Sequence, residues 1–377
     1  MATALILLTV VVVLAVMFDF VNGFHDAANT ISTIVVTRTM TPLSAVVMAG
    51  AANFTGFWFG TAVAKTVGKG VVNTKMITDI GSTPLAGNEI LLHLLLAALC
   101  GAIAWNIFTW LLGLPTSSSH ALIGGLIGSG VACAGIHVVN WGNGNMHDLI
   151  NIISHGEFKK LNDAFGVLTI FAFIAIAPLL GYIVSILFTG VTIWICRKKN
   201  PRKADRGFKV LQVLSSIFAS VAHGTNDAQK SMGVIAMAMV AANAYSTDSI
   251  KLTMDNVLDI HRWIPIVCFS AISLGTMFGG WRIVKTMGTQ ITKVHPMEGF
   301  TSSTSAATAI SICSSMGIPV STTHVIAGSI MGVGSIQGSG KVRWITARKI
   351  VWAWFLTIPA AATVAAISYT IIAKVLG

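Results

Sequence analysis

NGFHDAANT (residues 22–30) is echoed by HGTNDAQKS (223–231), and LPTSSSHALIGG (114–125) by IPVSTTHVIAGS (318–329), so two polar motifs are each written twice inside apolar segments. Asp26 maps onto Asp227 at an offset of 201, and Pro115 onto Pro319 at an offset of 204. Two unrelated motifs recurring in the same order at nearly one offset mean an internal duplication. Where such polar residues lie at bilayer depth, duplication is how many secondary transporters assemble a central binding site.

The surroundings of the motifs are those of a membrane protein. Hydrophobic residues make up 54% of the 377, only 10% are charged, and the mean hydropathy is +0.79. This excludes a soluble basic protein and predicts an all-α polytopic one. Uncharged stretches of spanning length recur at 1–18, 43–64, 90–114, 164–196, 263–281 and 350–373, and 115–146 and 299–340 each hold more than one simple span. About 10–12 membrane helices are predicted, including broken helices and re-entrant helical hairpins. Residues 164–196 are long for one span, so a tilted or bent helix is expected there. The first segment has neither a positive flank nor a small-residue cleavage site, and reads as a retained helix. The five cysteines are scattered without a CxxC pair and read as small core residues.

The formal charge of +11 sits mostly between the apolar runs, the pattern of the positive-inside bias rather than of nucleic-acid binding. Its densest cluster, CRKKNPRKADRGFK (196–209), reads as a cytoplasmic linker between a first transmembrane repeat (1–195) and a second (210–377). Each half runs from an apolar helix through the Asp motif to a second helix, then to a third, the Ser/Thr–Pro motif, a small-residue helix and a long final span. The second helices end on a shared trace, GTAVAKTVG (60–68) against GWRIVKTMG (280–288). The larger offset here fits an inserted polar connection at 243–262. Of the equivalent loops, 138–163 balances Lys159 and Lys160 with Asp148, Glu157 and Asp163, whereas 335–349 carries Lys341, Arg343, Arg348 and Lys349 without an acid. If cationic loops stay inside, the two lie on opposite faces, which predicts two inverted repeats.

Asp19, Asp26 and Asp227 are the acids within or at the edge of the spans. A carboxylate near the bilayer centre costs about 2.5–3.5 kcal/mol on insertion scales, so each needs a partner. Asp26 and Asp227 follow Gly23 and Gly224, which permit an unwound backbone whose carbonyls and amides could bind ions. Packing glycines beside a satisfied Asp are the plainer alternative. Asp19 has no repeat partner and reads as interfacial or structural. Ser117, Ser118 and Ser119 match Ser321, Thr322 and Thr323, each triplet beginning two residues after a proline. A short helix opening there would aim free amides and hydroxyls at an anion, whereas a helix start that merely caps itself is the bland reading. The following LIGGLIGSG (122–130) and VIAGSIMGVG (325–334) have the small-residue spacing of helix contacts.

An intramembrane hydrolase built on Ser119 and His120 is disfavoured, because adjacent helical residues do not face each other. The protein is thus expected not to be an enzyme. A metal transporter is the stronger rival, since His25, His120, His223 and His324 flank the motifs. The pair His120/His324 could instead hydrogen-bond across the duplicated interface, and no cysteine or dense His cluster accompanies them. A resident metal is left open.

At these residues the chain resembles the Pit family of inorganic phosphate transporters. The family signature is similar to GFHDAAN (23–29) and GTNDAQK (224–230), and WNIFTWLLGLPTSSSH (105–120), FKVLQVLSSIFASVAHGTND (208–227) and GIPVSTTH (317–324) resemble further family segments. The resemblance implies symport of phosphate with a cation, a site at the interface of inverted repeats, a homodimer, no cofactor, and a multi-pass location in the cell membrane (the inner membrane in a bacterium). Carried over by position, Asn29, Ser117, Ser118, Ser119, Ser321, Thr322 and Thr323 would line the phosphate, with Lys230 beside them. Asp26, Asp227, Asn226 and Asn53 would serve cation or proton coupling. This chain departs from the family at His25, which replaces an Asn, and at Gln229 and Lys230, which replace an Ala-Asn. Asn53 stands where sodium-coupled relatives carry Glu, and near Ser303 there are only hydroxyls. These departures resemble the bacterial low-affinity branch, which implies protons in preference to sodium, and phosphate carried alone or as a neutral complex with a divalent metal. Two aspartates and one lysine leave a charge of −1, so an anion enters only with protons or cations. Sodium-coupled phosphate symport and a sulfate or other oxyanion permease remain the alternatives.

Overall fold

The structure is a computed structural model that describes residues 2–81, 83–243 and 251–376. Residues 244–250 of the inserted connection and the side chain of Lys159 lie outside the described residues. The first half holds α1 (Ala2–Val36), α2 (Pro42–Thr55), a 3₁₀ turn (Gly56–Phe59), α3 (Ala62–Gly70), α4 (Thr74–Thr78), α5 (Pro84–Leu112), α6 (Ser118–Ala134), α7 (Met146–His155) and α8 (Leu161–Cys196). The second holds α9 (Pro201–Asn243), α10 (Val257–Ile260), α11 (Trp263–Phe278), α12 (Trp281–Lys285) with a π-helical turn after it, α13 (Pro296–Ser315), α14 (Thr322–Ile336) and α15 (Trp344–Leu376). Among the described residues the only β pairing is a single bridge, Val72 to Val139.

Helices α1, α5, α8 and α15 are long and apolar enough to cross a membrane, and two bent pairs qualify as broken spans. The first, α2–α3, turns by 80°, and the second, α11–α12, by 62°. Both breaks fall on glycines in the left-handed region, Gly60 (φ 97) and Gly279 (φ 71), where a side chain would be strained. The trace shared by 60–68 and 280–288 is therefore the segment after a break. Helices α6 and α14 are shorter apolar helices, while hydroxyl and charged residues dilute α9 and α13. The bend expected in 164–196 is present: Gly166 is non-helical (φ 47, ψ −127) and Pro178 lies inside α8.

The unwound backbone expected at the Asp motifs does not form: α1 and α9 run unbroken through residues 22–30 and 223–231. Their glycines serve close packing instead. A Cβ on Gly23 would stand 2.2 Å from the carbonyl oxygen of Ile272, and one on Gly224 2.3 Å from that of Asn53. Keeping both helices whole satisfies the backbone inside the membrane, and the absent side chains bring α11 and α2 within contact. The small-residue helices pack as expected, Gly124 and Gly128 against Ile358 and Ala362 of α15, Gly328 and Gly332 against Pro178, Tyr182 and Ser185 of α8.

The packing repeats with the sequence. Helix α1 lies on α11 and α9 on α2; α6 lies on α15 and α14 on α8; α5 contacts α6 and α15, as α13 contacts α14 and α8. Most of these contacts cross from one half to the other, so neither half buries its own polar face alone. The basic linker is largely helical, because Pro201 opens α9 and only 197–200 form the turn. Proline suits a first helical position, and Asn200 Oδ1 accepts from the amide of Arg202 at 3.0 Å. A further acid, Glu298, is buried in the first turn of α13, where it accepts from the amide of His295 at 3.2 Å and from Gln337 Nε2 at 2.7 Å.

Candidate functional site

The duplicated motifs converge at the centre of the bundle. Ser117 and Ser321 are the N-caps of α6 and α14, and each Oγ accepts from the amide three residues on, His120 and His324, at 3.2 Å. The caps leave the next amides at the helix mouths ahead of the first intrahelical bond. Both triplets are buried, as are Asp26, Asn29, Asn53, Asn226, Asp227 and Lys230. Fixed dipoles and ionisable groups out of reach of water interact strongly.

Helix register delivers the groups to one another in matched pairs. Asn29 of α1 donates through Nδ2 to Thr323 Oγ1 at 3.0 Å and to Thr322 Oγ1 at 3.3 Å. At the equivalent place on α9, Lys230 Nζ donates to Ser119 Oγ, to Asp227 Oδ1 and, at 3.1 Å, to the carbonyl of Val320. In the first motif His25 Nδ1 stands 2.6 Å from Asp26 Oδ1, and its Nε2 3.1 Å from Thr109 Oγ1. In the second, Asn226 donates to Asp227 Oδ1 at 2.7 Å and accepts from Ser314 Oγ at 3.2 Å. Candidate side chains of one half thus touch the hydroxyl triplet of the other.

The two aspartates, 201 positions apart in sequence, meet: one ligating atom each from Asp26, His223 and Asp227 lie within 4.8 Å of one another. Their surroundings nevertheless differ. Asp227 accepts from Lys230 and Asn226 on Oδ1 and from Thr322 Oγ1 on Oδ2 at 3.1 Å, with His223 Nε2 also 3.1 Å from Oδ2. Donors thus converge on both oxygens of this carboxylate. Around Asp26 the hydrogen bonds can be followed outward. Thr109 donates its hydroxyl to the carbonyls of Trp105 and Asn106 and accepts from Thr116, so the Nε2 of His25 is a donor to it. With Nε2 turned to Thr109, Nδ1 is the ring atom that faces Asp26 Oδ1 across the 2.6 Å contact.

Asn53 lies one contact away from Asp227. Its Nδ2 donates to Thr276 Oγ1 at 2.7 Å, and its Oδ1 lies 3.3 Å from His223 Nδ1. His223, which opens the second motif, sits one helical turn before Asp227, whereas Thr276 lies outside both motifs. Gln229 takes a positioning part: its Oε1 accepts from the amide of Val63 at 2.8 Å and its Nε2 donates to Gly60 O at 2.7 Å, fastening the broken α2–α3 pair to α9. Ser303 meets Thr33 at 3.3 Å rather than the central groups. The hydrogen bond that His120 and His324 could have made across the interface is absent. The rings instead pack edge to face with centroids 4.7 Å apart, and His324 stacks on Trp354 at 4.0 Å.

Acids, amides, hydroxyls and one ammonium group, buried between crossing membrane helices, define a multi-pass membrane transport protein rather than an enzyme. The chain belongs to the Phosphate transporter family, which it matches over residues 22–365. It is 40% identical over 364 residues to a "Probable low-affinity inorganic phosphate transporter" of Rhizobium meliloti, covering 96% of each chain. It is 36% identical over 368 residues to the protein of the same description in Bacillus subtilis, covering 98% of each. Among solved structures, "The sodium-dependent phosphate transporter" shares the fold, with a TM-score of 0.72 and 24% identity over 98% of this chain and 99% of that one.

Proposed function

We propose that the protein imports inorganic phosphate by proton-coupled symport, with the anion bound between the α6 and α14 caps and the Asp26–Asp227–Lys230 cluster. The observation that carries this reading is the meeting of Asp26, Asp227 and Lys230 with both hydroxyl triplets, all of them buried. Two helix mouths with their hydroxyls suit a tetrahedral oxyanion. Lys230 supplies the fixed positive charge at the position where Asn29 stands in the other half.

Charge favours protons as the partner ion. Lys230 balances Asp227, and one proton between His25 and Asp26 would leave that pair neutral, so an arriving anion is the excess charge. Desolvating that charge requires a proton or cation to enter with it. Asn53 and Ser303 bring no carboxylate that would hold sodium. A second cargo, a neutral divalent metal–phosphate complex, is favoured by the trio Asp26, His223 and Asp227, whose oxygen and nitrogen atoms lie close enough to share one ion.

The halves would act as inverted repeats, rocking about the site to give alternating access. A cavity of about 510 Å³ reaches Ser314 and Gln229, beside Asn226, and would be one approach. We also propose a homodimer, testable by cross-linking in native membranes. The transport reading is tested with purified protein in liposomes, by uptake of labelled phosphate under pH and sodium gradients imposed separately, with and without Mg²⁺. Accumulation driven by a pH gradient without sodium is expected. Accumulation that needs sodium, or that sulfate drives equally well, would replace this reading.

A further inference from the structure

Asp19 lies outside the site just described and has no counterpart in the second half, where Ser220 occupies its place. It was expected to be interfacial or structural; the structure buries it completely between α1, α9 and α11. Its Oδ1 accepts from Ser231 Oγ, and the thiol of Cys268 lies beside it. Its Oδ2 has no partner, and neither do the side-chain amides of Asn22, one turn further along α1, or of Asn106 on α5. All three residues are fully buried.

Helix direction brings the two amides to one level. Gly280 faces Phe24 and Gly288 faces Ser32, while Thr286, between them, bonds Gly113 at the end of α5. Helix α5 therefore advances alongside α1 in the same direction. Since His25 meets Thr109, the residues one turn earlier, Asn22 and Asn106, lie level with each other, with Asp19 a turn below. The ionisable groups facing Asp19 are Cys268 on α11 and Asp227 and Lys230 on α9; no acid or base of α2 or α5 bonds it among the described residues. A carboxylate whose neighbouring donors are one hydroxyl and one thiol, with one bare oxygen and no bonded cation, is costly to leave charged there.

We propose that Asp19 is a proton-binding carboxyl of the transport cycle, separate from the phosphate site and linked to it through Ser231 and the neighbouring Lys230. This rests on the proton-symport reading. Oδ2 is the atom that takes the proton, and Asn22 and Asn106 form the polar passage to it. While Lys230 pairs with Asp227, the site presents no net charge to Asp19. When Lys230 turns to an anion, Asp227 is left unbalanced, and a proton on Asp19 offsets the added negative charge. The proton is bound and released without any covalent step.

Two measurements test the proposal. In wild-type protein labelled with ¹³C-aspartate, infrared difference spectra should contain a protonated-carboxyl band that Asp19→Asn removes. In Ser231→Ala the midpoint of that band should move up by about one pH unit, because the lost hydroxyl stabilises the charged form. In liposomes, Asp19→Asn should equilibrate phosphate across the membrane without accumulating it under a pH gradient. A wild-type spectrum with no such band, an unmoved midpoint in Ser231→Ala, or undiminished gradient-driven accumulation by Asp19→Asn would each overturn the proposal. Absence of the band from the wild-type spectrum requires no folded variant and counts against Asp19 whether or not proton symport holds, while its loss in Asp19→Asn separates Asp19 from the other aspartates. Failure of the symport reading would be seen separately, as wild-type uptake indifferent to the pH gradient.

Discussion

Replacing Lys230 by methionine tests the architecture of the site most directly. Lys230 and Asp227 form a buried ion pair, each about 1% exposed, and Lys230 also donates to Ser119 across the interface of the halves and to Val320 within its own half. Methionine keeps the apolar stem and deletes the charge, so Asp227 is left ionised and buried. Breaking such a pair by removing one partner costs about 3–5 kcal/mol. Asn226 and Thr322 still donate to Asp227, with His223 close by, which places the expected loss near the lower end, about 3 kcal/mol. Adding Asp227→Asn removes the stranded charge, and the double variant should regain about 2 kcal/mol relative to additivity. The free energy of unfolding of all four proteins, measured in mixed detergent micelles, gives the coupling. A coupling below about 0.5 kcal/mol would refute the claim that the two charges depend on each other.

Other predictions concern transport, packing and exposed charge. Lys230→Asn gives the second motif the residue of the first and lowers the site's charge by one; phosphate uptake in liposomes should fall and become dependent on an added monovalent cation. Gly224→Ala places a Cβ 2.3 Å from a backbone carbonyl and should abolish the monodisperse peak in detergent gel filtration, whereas Gly207→Ala, with nothing near, should leave it intact. Ser117→Ala and Ser321→Ala should each lose about 1 kcal/mol of stability through the missing cap, measurable in the same micelles. On the exposed loop, Lys160 at 2.7 Å holds the Glu157 carboxyl below the usual carboxylate range. Any stability from that pair is present above the ordinary carboxylate pKa and is lost as pH falls through the lowered one. Lys160→Ala should return the NMR titration of Glu157 to its ordinary position.

The doubled motifs name the buried polar residues that meet, because offset and helical period are both properties of the chain. They do not reveal how each residue is used. Glycine before each aspartate is compatible with an open backbone and with close packing, and only the neighbouring carbonyls of Ile272 and Asn53 distinguish the two. The broken helices are real, but they lie at Gly60 and Gly279, where the sequence signal was a weak trace of similarity. Gln229 departs from the motif because it fastens the far side of one such break, a contact 166 residues away in sequence.

By itself the sequence determined the membrane class, the duplication, the capped starts of α6 and α14 and the small-residue packing faces, since composition and local spacing encode all four. Tertiary structure alone decided that each half's amide or ammonium reaches the other half's hydroxyls, and that Asp26 stands against His25 while Asp227 accepts from three donors with His223 close by. It also decided that Asp19 is enclosed. The reason is physical: a helix fixes which residues share its face, but the partner of a buried polar group is set by which helices cross it, and here α1 meets α14 and α9 meets α6 from the other half.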